Sequence, residues 1–147
     1  MNIIDDESKD SRRVIDEINT VIRKFLWLDF QLDGYSYDTL RLIGSVSTSY
    51  PPEIQIEFSG VFLYSGVLRW TSNKEDSGIE VVDDEELGLL NERYGVTVGN
   101  MAYRIKNSDN LSESILIIAE QVSYRELSDD DKKQWLIKYG MIEKMKK

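Results

Sequence analysis

The chain contains no cysteine and no histidine among its 147 residues. Without cysteine there are no disulfide bonds and no thiolate metal ligands. Without histidine the commonest general base, the commonest metal ligand and the usual serine and cysteine triads are missing. The phosphate loop GxxxxGK[ST], the dinucleotide fingerprint GxGxxG and the nucleophile elbow GxSxG are also absent. We therefore expect a protein that is not an enzyme and that carries no metal or cofactor.

Long apolar runs are missing too, since no stretch approaches the roughly 20 residues that a membrane helix needs. The N-terminal sequence MNIIDDESKD has neither the basic start nor the apolar core of a signal peptide. These absences favour a cytoplasmic protein that does not bind membranes.

The charge is strongly of one sign, with 27 acidic against 18 basic residues and a net charge of −9. An acidic field repels nucleic acid phosphates and anionic membranes and attracts basic partners. We expect a basic protein partner and no nucleic acid. The alternative is that the acidity only keeps the protein soluble.

Hydrophobic residues make up 41% of the chain, which suits one folded domain spanning residues 1–147. We expect residues 1–7 and 141–147 to be loose ends. An apolar stripe at three- and four-residue steps predicts a helix over 10–25. It consists of Val14, Ile18, Val21, Ile22 and Phe25.

The segment 51–70 carries the clearest strand pattern. Ile54, Ile56 and Phe58 alternate with polar residues, as in a strand with one buried face. From Gly60 the residues are apolar on both faces, so we expect the strand to enter the middle of the fold. A turn after Ser65 and a returning strand complete the segment.

The region before this strand allows two interpretations. Residues 27–34 are either a short strand that ends in a tight hairpin turn at Asp33 and Gly34, or a packed loop. Residues 35–46 predict a strand in which Gly44 marks a bulge.

The second half of the chain is predicted to contain a short strand at 79–82, a helix at 83–94, a strand at 101–106 and a turn at 107–110. Residues 115–119 are apolar on both faces and predict a central strand. Ser128 and Asp131 resemble a capping box at the start of a last helix. The elements together predict an α+β domain, an antiparallel sheet packed with an N-terminal, a short middle and a C-terminal helix.

The acidic runs 83–86 and 129–131 carry oxygen ligands that suit a hard cation. Both stand where helices begin, and capping accounts for them without a metal. Acids in or beside strands leave open a carboxylate-dependent hydrolase, which needs two facing carboxylates. They are Asp29, Asp38, Glu57 and Glu120.

Tyrosines beside acids suggest a partner-binding surface. Tyr35, Tyr37 and Tyr50 flank the ends of the first hairpin strand, close to the two prolines. Exposed tyrosine next to carboxylates is typical of a hot spot for an Arg- or Lys-rich partner. The sequence therefore predicts a partner-binding set consisting of Tyr35, Tyr37, Asp38, Tyr50, Glu53 and Glu57.

Three predicted strands, 37–42, 51–58 with Val61, and 115–119, and Trp70 at the end of a further strand form a recognisable pattern. In this pattern the chain resembles the small acidic immunity proteins that neutralise bacterial polymorphic toxins. The resemblance implies a binding module that occludes a toxin's active site and has no catalytic residues.

The function predicted from the sequence is thus that of a non-enzymatic acidic binding protein, an immunity or inhibitor protein for a basic partner. The first alternative is a structural or regulatory domain that forms a homo-oligomer through a sheet edge. The second is the carboxylate-dependent hydrolase.

Overall fold

The computed structural model describes residues 3–47, 50–73, 78–95, 99–106 and 115–140. These residues form three helices and one antiparallel seven-stranded sheet in the order β4-β1-β2-β3-β7-β6-β5. The predicted α+β fold is confirmed. The elements in chain order are α1 (Ile3–Ile22), β1 (Trp27–Ser36), β2 (Thr39–Ser45), β3 (Ile54–Ser65), β4 (Arg69–Asn73), β5 (Ile79–Val81), α2 (Asp84–Tyr94), β6 (Met101–Ile105), β7 (Ile115–Glu126) and α3 (Asp129–Lys138).

Helix α1 covers one face of the sheet, which we call the inner face. Its apolar stripe, with Ile18 fully buried, packs into a core supplied by alternate residues of most strands. Ile54, Ile56 and Phe58 all belong to this core, so the alternation predicted for β3 is confirmed. Each fully buried side chain of this size contributes about 1.5–3 kcal/mol by leaving water.

Asn19 joins α1 to the edge strand β5. Its side-chain amide donates to the carbonyl of Ile79 at 2.9 Å, and its Oδ1 accepts from the Ile79 amide at 2.8 Å. The side chain is buried, so both bonds form away from water, where an unmade bond would cost about 1–3 kcal/mol. Asn19 therefore gives the short β5 two hydrogen bonds on the side where no further strand pairs with it.

The central position predicted for residues 115–119 is confirmed, because β7 lies between β3 and β6 and is covered on both faces. Ile115 and Ile117 face the α1 core, whereas Ile118 faces a smaller cluster on the outer face. Leu87 and Leu90 of α2 pack on that cluster. Helix α2 starts and ends as predicted, with Asp83 as N-cap and Gly95 in the left-handed conformation after its last residue.

Helix α3 lies against the outer face at the β2, β3 and β7 strands. The predicted capping box is confirmed, since Ser128 Oγ accepts from the Asp131 amide and Asp131 accepts from the Ser128 amide. Lys132 Nζ reaches Glu53 Oε1 at 2.6 Å, and Arg125 reaches Asp131 at 3.2 Å. Because none of the residues of α3 is buried, polar contacts supply much of its attachment.

The N-terminal helix is longer than predicted at its start. It begins at Ile3, whereas the sequence predicted a helix from residue 10. No glycine or proline occurs before Gly34, so the sequence contains no residue that stops the helix from extending. At its other end the helix stops at Ile22 and tightens into i−3 bonds, from Lys24 to Val21 and from Phe25 to Ile22.

The hairpin turn predicted at Asp33 and Gly34 is wrong. Residues 27–34 belong to strand β1, which continues to Ser36, and a β-bulge interrupts the register between Leu32 and Gly34. The chain reverses instead at Tyr37 and Asp38, between Ser36 and Thr39. Gly34 has no positive φ, so the backbone that a tight Asp-Gly turn requires is not adopted there.

The bulge predicted at Gly44 is also wrong, since Gly44 pairs in regular register with Phe30 and Ile54. The glycine serves packing: a Cβ at this position would lie 2.7 Å from the Phe30 ring and 3.1 Å from Ile54.

Strand β4 does not return alongside β3. It begins at Arg69 and pairs with β1, with Trp70 opposite Phe30. Both edges of β3 are already occupied, by β2 and β7, so the chain crosses to the free edge of β1. The predicted turn at 107–110 and the predicted loose end at 141–147 lie outside the described residues.

We predict that Gly44→Ala lowers the free energy of unfolding by about 1–3 kcal/mol, because its methyl group overpacks against Phe30. Gly34→Ala is the matched control, since a Cβ there meets no atom within 4 Å. Urea unfolding of both variants measures the difference. Equal stability of the two variants would contradict the register of β1 and β2.

The stability that the α3 cap contributes should depend on pH. Hydrogen bonds from the backbone and side chain of Ser128, with a smaller contribution from Arg125, lower the pKa of Asp131 below 3.8. A carboxylate with a lowered pKa stabilises the fold above its unfolded pKa, and the stabilisation is lost as the pH falls through the lower folded value. Asp131→Ala should thus lower the melting temperature at about pH 7 and have much less effect at about pH 2.

Circular dichroism melting curves at both pH values test this, with Asp130→Ala in the same helical turn as the control. An effect of Asp131→Ala that does not change with pH would show that the ionised carboxylate does not hold the cap.

Candidate functional site

The tip of the β1–β2 hairpin presents Tyr37 almost completely to solvent. Its exposure is 95%, and its φ of +60° is the one positive value among the non-glycine residues that the structure describes. A left-handed backbone costs a residue with a side chain about 1–2 kcal/mol. Because Tyr37 is so exposed, little packing offsets this cost.

The backbone around Tyr37 is nevertheless fixed. The carbonyl of Asp38 accepts a hydrogen bond from the amide of Val61 on β3 at 3.0 Å. The hydroxyl of Thr39 donates to the Asp38 carboxylate at 3.2 Å. These bonds fasten the tip to the neighbouring strand, so Tyr37 projects from a held turn.

Other exposed apolar side chains lie on segments that are bonded to the tip or to β1. Phe62 follows Val61, the residue that binds the tip, and is exposed. The crossover from β3 to β4 brings Leu68 to β1, where its carbonyl accepts from the Leu32 amide at 2.9 Å. We call the set the tip surface, and it consists of Tyr35, Tyr37, Asp38, Phe62, Val67 and Leu68.

The crossover that carries Val67 and Leu68 is itself held in place. The hydroxyl of Tyr64 donates to the carbonyl of Val67, and partial burial raises the pKa of Tyr64. The hydroxyl therefore stays protonated and remains a donor at neutral pH. The tip surface thus rests on two elements that are each bonded to the sheet.

The six residues predicted for partner binding do not meet at one place. Tyr35, Tyr37 and Asp38 lie together at the hairpin tip. Tyr50, which is exposed, and Glu53 belong to the connection at the other end of β2. The seven residues of β2 separate the two ends by about 20 Å.

The predicted acids Glu53 and Glu57 both have partners. Glu53 pairs with Lys132 of α3. Glu57 lies on the outer face, where Arg41 is 3.7 Å away and Gln55 donates to it at 3.3 Å.

Three members of the tip surface were missed by sequence reasoning: Phe62, Val67 and Leu68. The apolar run after Gly60 predicts burial on both faces, yet Phe62 is exposed. The register of β3 shifts between Val61 and Leu63, so the residue between them leaves the regular alternation. The signal in the sequence is Gly60, which has a positive φ of 64° just before this shift.

Several of the acids considered for catalysis or metal binding have local structural neighbours. Asp29 accepts from Thr71 at 3.1 Å, and the side chain of Glu120 lies against Gly60. Asp83 caps α2 by accepting from the Glu86 amide at 2.8 Å. Within the ranges that the structure describes, no group of three or more Asp or Glu side chains is placed to hold a metal ion.

Comparison of the chain with protein-family models, curated proteins and solved structures finds no match. Among the described helices, none combines the length and the apolar character needed to cross a membrane. Proposals about function therefore depend on the geometry and charge of this chain.

We predict that Tyr37→Gly raises the free energy of unfolding by up to about 1 kcal/mol, because glycine adopts a positive φ without steric cost. The same change at Tyr50, which is exposed without a positive φ, should lower it by up to about 1 kcal/mol. Urea unfolding measures both. A loss of stability in Tyr37→Gly equal to that in Tyr50→Gly would contradict the strained turn.

Proposed function

We propose that this chain is a non-enzymatic binding protein that inhibits a basic protein partner, in the manner of an immunity protein, and that the tip surface is its docking site. The observation that carries the proposal is the nearly complete exposure of Tyr37 on a held turn with a left-handed backbone. Strained backbone positions cluster at functional sites, where the strain is retained for what the residue does.

The composition of the tip surface suits a binding hot spot. Tyrosine contributes a large contact area and one polar group while losing little conformational freedom. Exposed Phe62 and Leu68 add apolar area that a partner can cover. Because the turn and the crossover are both bonded to the sheet, binding requires little ordering of the backbone.

The charge of the chain favours a basic partner. The net charge of −9 steers cations towards the protein, and Asp38 lies exposed beside Tyr37. An arginine or lysine of the partner would contact the tyrosine ring and the carboxylate together. We propose that this function is exerted in the cytoplasm.

The test measures binding of the purified chain to the proteins encoded by genes next to its own, beginning with the most basic ones, by biolayer interferometry. We expect one of them to bind, to lose affinity as salt is raised, and to lose its own activity when bound. Tyr37→Gly should weaken binding by roughly tenfold or more, as removal of a hot-spot residue does. The variant is expected to remain folded, so the loss would reflect the side chain.

Tyr50→Gly is the matched control, because it removes an exposed tyrosine about 20 Å away at the other end of β2. Binding that falls equally in both variants would move the docking site away from the tip surface. Absence of binding to every neighbouring basic gene product would count against the inhibitor function itself.

A further inference from the structure

A concave surface that shares no residue with the tip surface lies between α3 and the outer face of the sheet. It is a groove with a volume of about 210 Å³. Its floor is formed by β2 and β3, and one wall is formed by the side of α3 that carries Trp135 and Lys138. The bulge in β1 adds Asp33 to the opposite wall.

The charges of the groove nearly balance, in a protein of net charge −9. Its described lining contains three cations, Arg41, Arg125 and Lys138, and two carboxylates, Asp33 and Asp131. Asp131 is already occupied by Ser128 and Arg125. With Glu57 beside Arg41 the three cations face three carboxylates, so the groove lacks the excess of acids that would repel an anionic ligand.

Arg41 has unused hydrogen-bonding capacity. Its distances to Asp33 and Glu57 are 3.5 and 3.7 Å, longer than charge-assisted hydrogen bonds of about 2.7–2.9 Å. Its Nε is buried and finds no hydrogen-bond acceptor among the residues that the structure describes. A guanidinium has five N–H donors, and one with so few hydrogen bonds can donate two of them to a carboxylate.

The rest of the lining fits a flat apolar group. Ile43 and Leu127 supply aliphatic surface, and the Trp135 ring contacts the tilted ring of Tyr139 with 4.5 Å between centroids. The volume lies below the roughly 300 Å³ at which sites for drug-sized ligands begin, so the occupant is small.

We propose that this groove binds a small planar carboxylate, with its oxygens on Arg41 and its apolar ring against Trp135. Lys138 adds attraction for the negative charge, whereas Arg125 is paired with Asp131. The site is independent of the tip surface, so its presence does not depend on the proposed inhibitor function.

Sodium benzoate is the probe, titrated at constant ionic strength while amide and indole signals are followed by NMR. We expect saturable shifts at Ile43, Gln55 and Trp135 with a dissociation constant of about 1 mM, and at least roughly fivefold weaker binding of neutral benzamide. Arg41→Gln should weaken benzoate binding by roughly tenfold, the loss expected for one charge-assisted contact.

Arg93→Gln on α2 is the matched control, because it removes an exposed arginine outside the groove and should leave binding unchanged. Lys138→Gln changes an exposed position and serves as the test if Arg41→Gln does not fold. It should weaken benzoate binding roughly threefold. Shifts that do not saturate, equal binding of benzamide, or unchanged affinity in Arg41→Gln or in Lys138→Gln would overturn the proposal.

Discussion

The burial of the α1 stripe against the inner face of the sheet is the constraint on which the rest of the structure depends. Strand register decides which side chains reach this core, because a slip of one residue would turn each strand over. The register that buries Leu40 and Leu42 under α1 also turns Arg41 and Ile43 to the outer face. The core and the outer groove are therefore two consequences of one register.

The bulges extend this constraint to the hairpin tip. β1 pairs with β2 in regular register up to Leu32 and again from Gly34. The register shift between these residues places Tyr35 opposite the buried Leu40. A second shift after Val61 carries β3 past the end of β2. The tip thus stands beyond the core, where a tyrosine can be both exposed and strained at little cost to the packed interior.

The sequence predicted the features that depend on local pattern. The buried strand at 115–119 and the cap at Ser128 follow from residue types at short spacing. It did not predict that β4 pairs with β1, or that Asn19 binds Ile79 across 60 residues, because alternation determines a strand's face and not its neighbour. For the same reason it grouped Tyr50 with Tyr37, although β2 separates them.

Amide hydrogen exchange, measured on the chain alone and in the complex, tests whether the tip surface forms the proposed interface with a basic protein. We expect slower exchange in the complex at residues 35–39 and 61–68, with residues 50–53 and the α3 groove unchanged. Slower exchange confined to 50–53 or to the groove, with the tip unaffected, would contradict it.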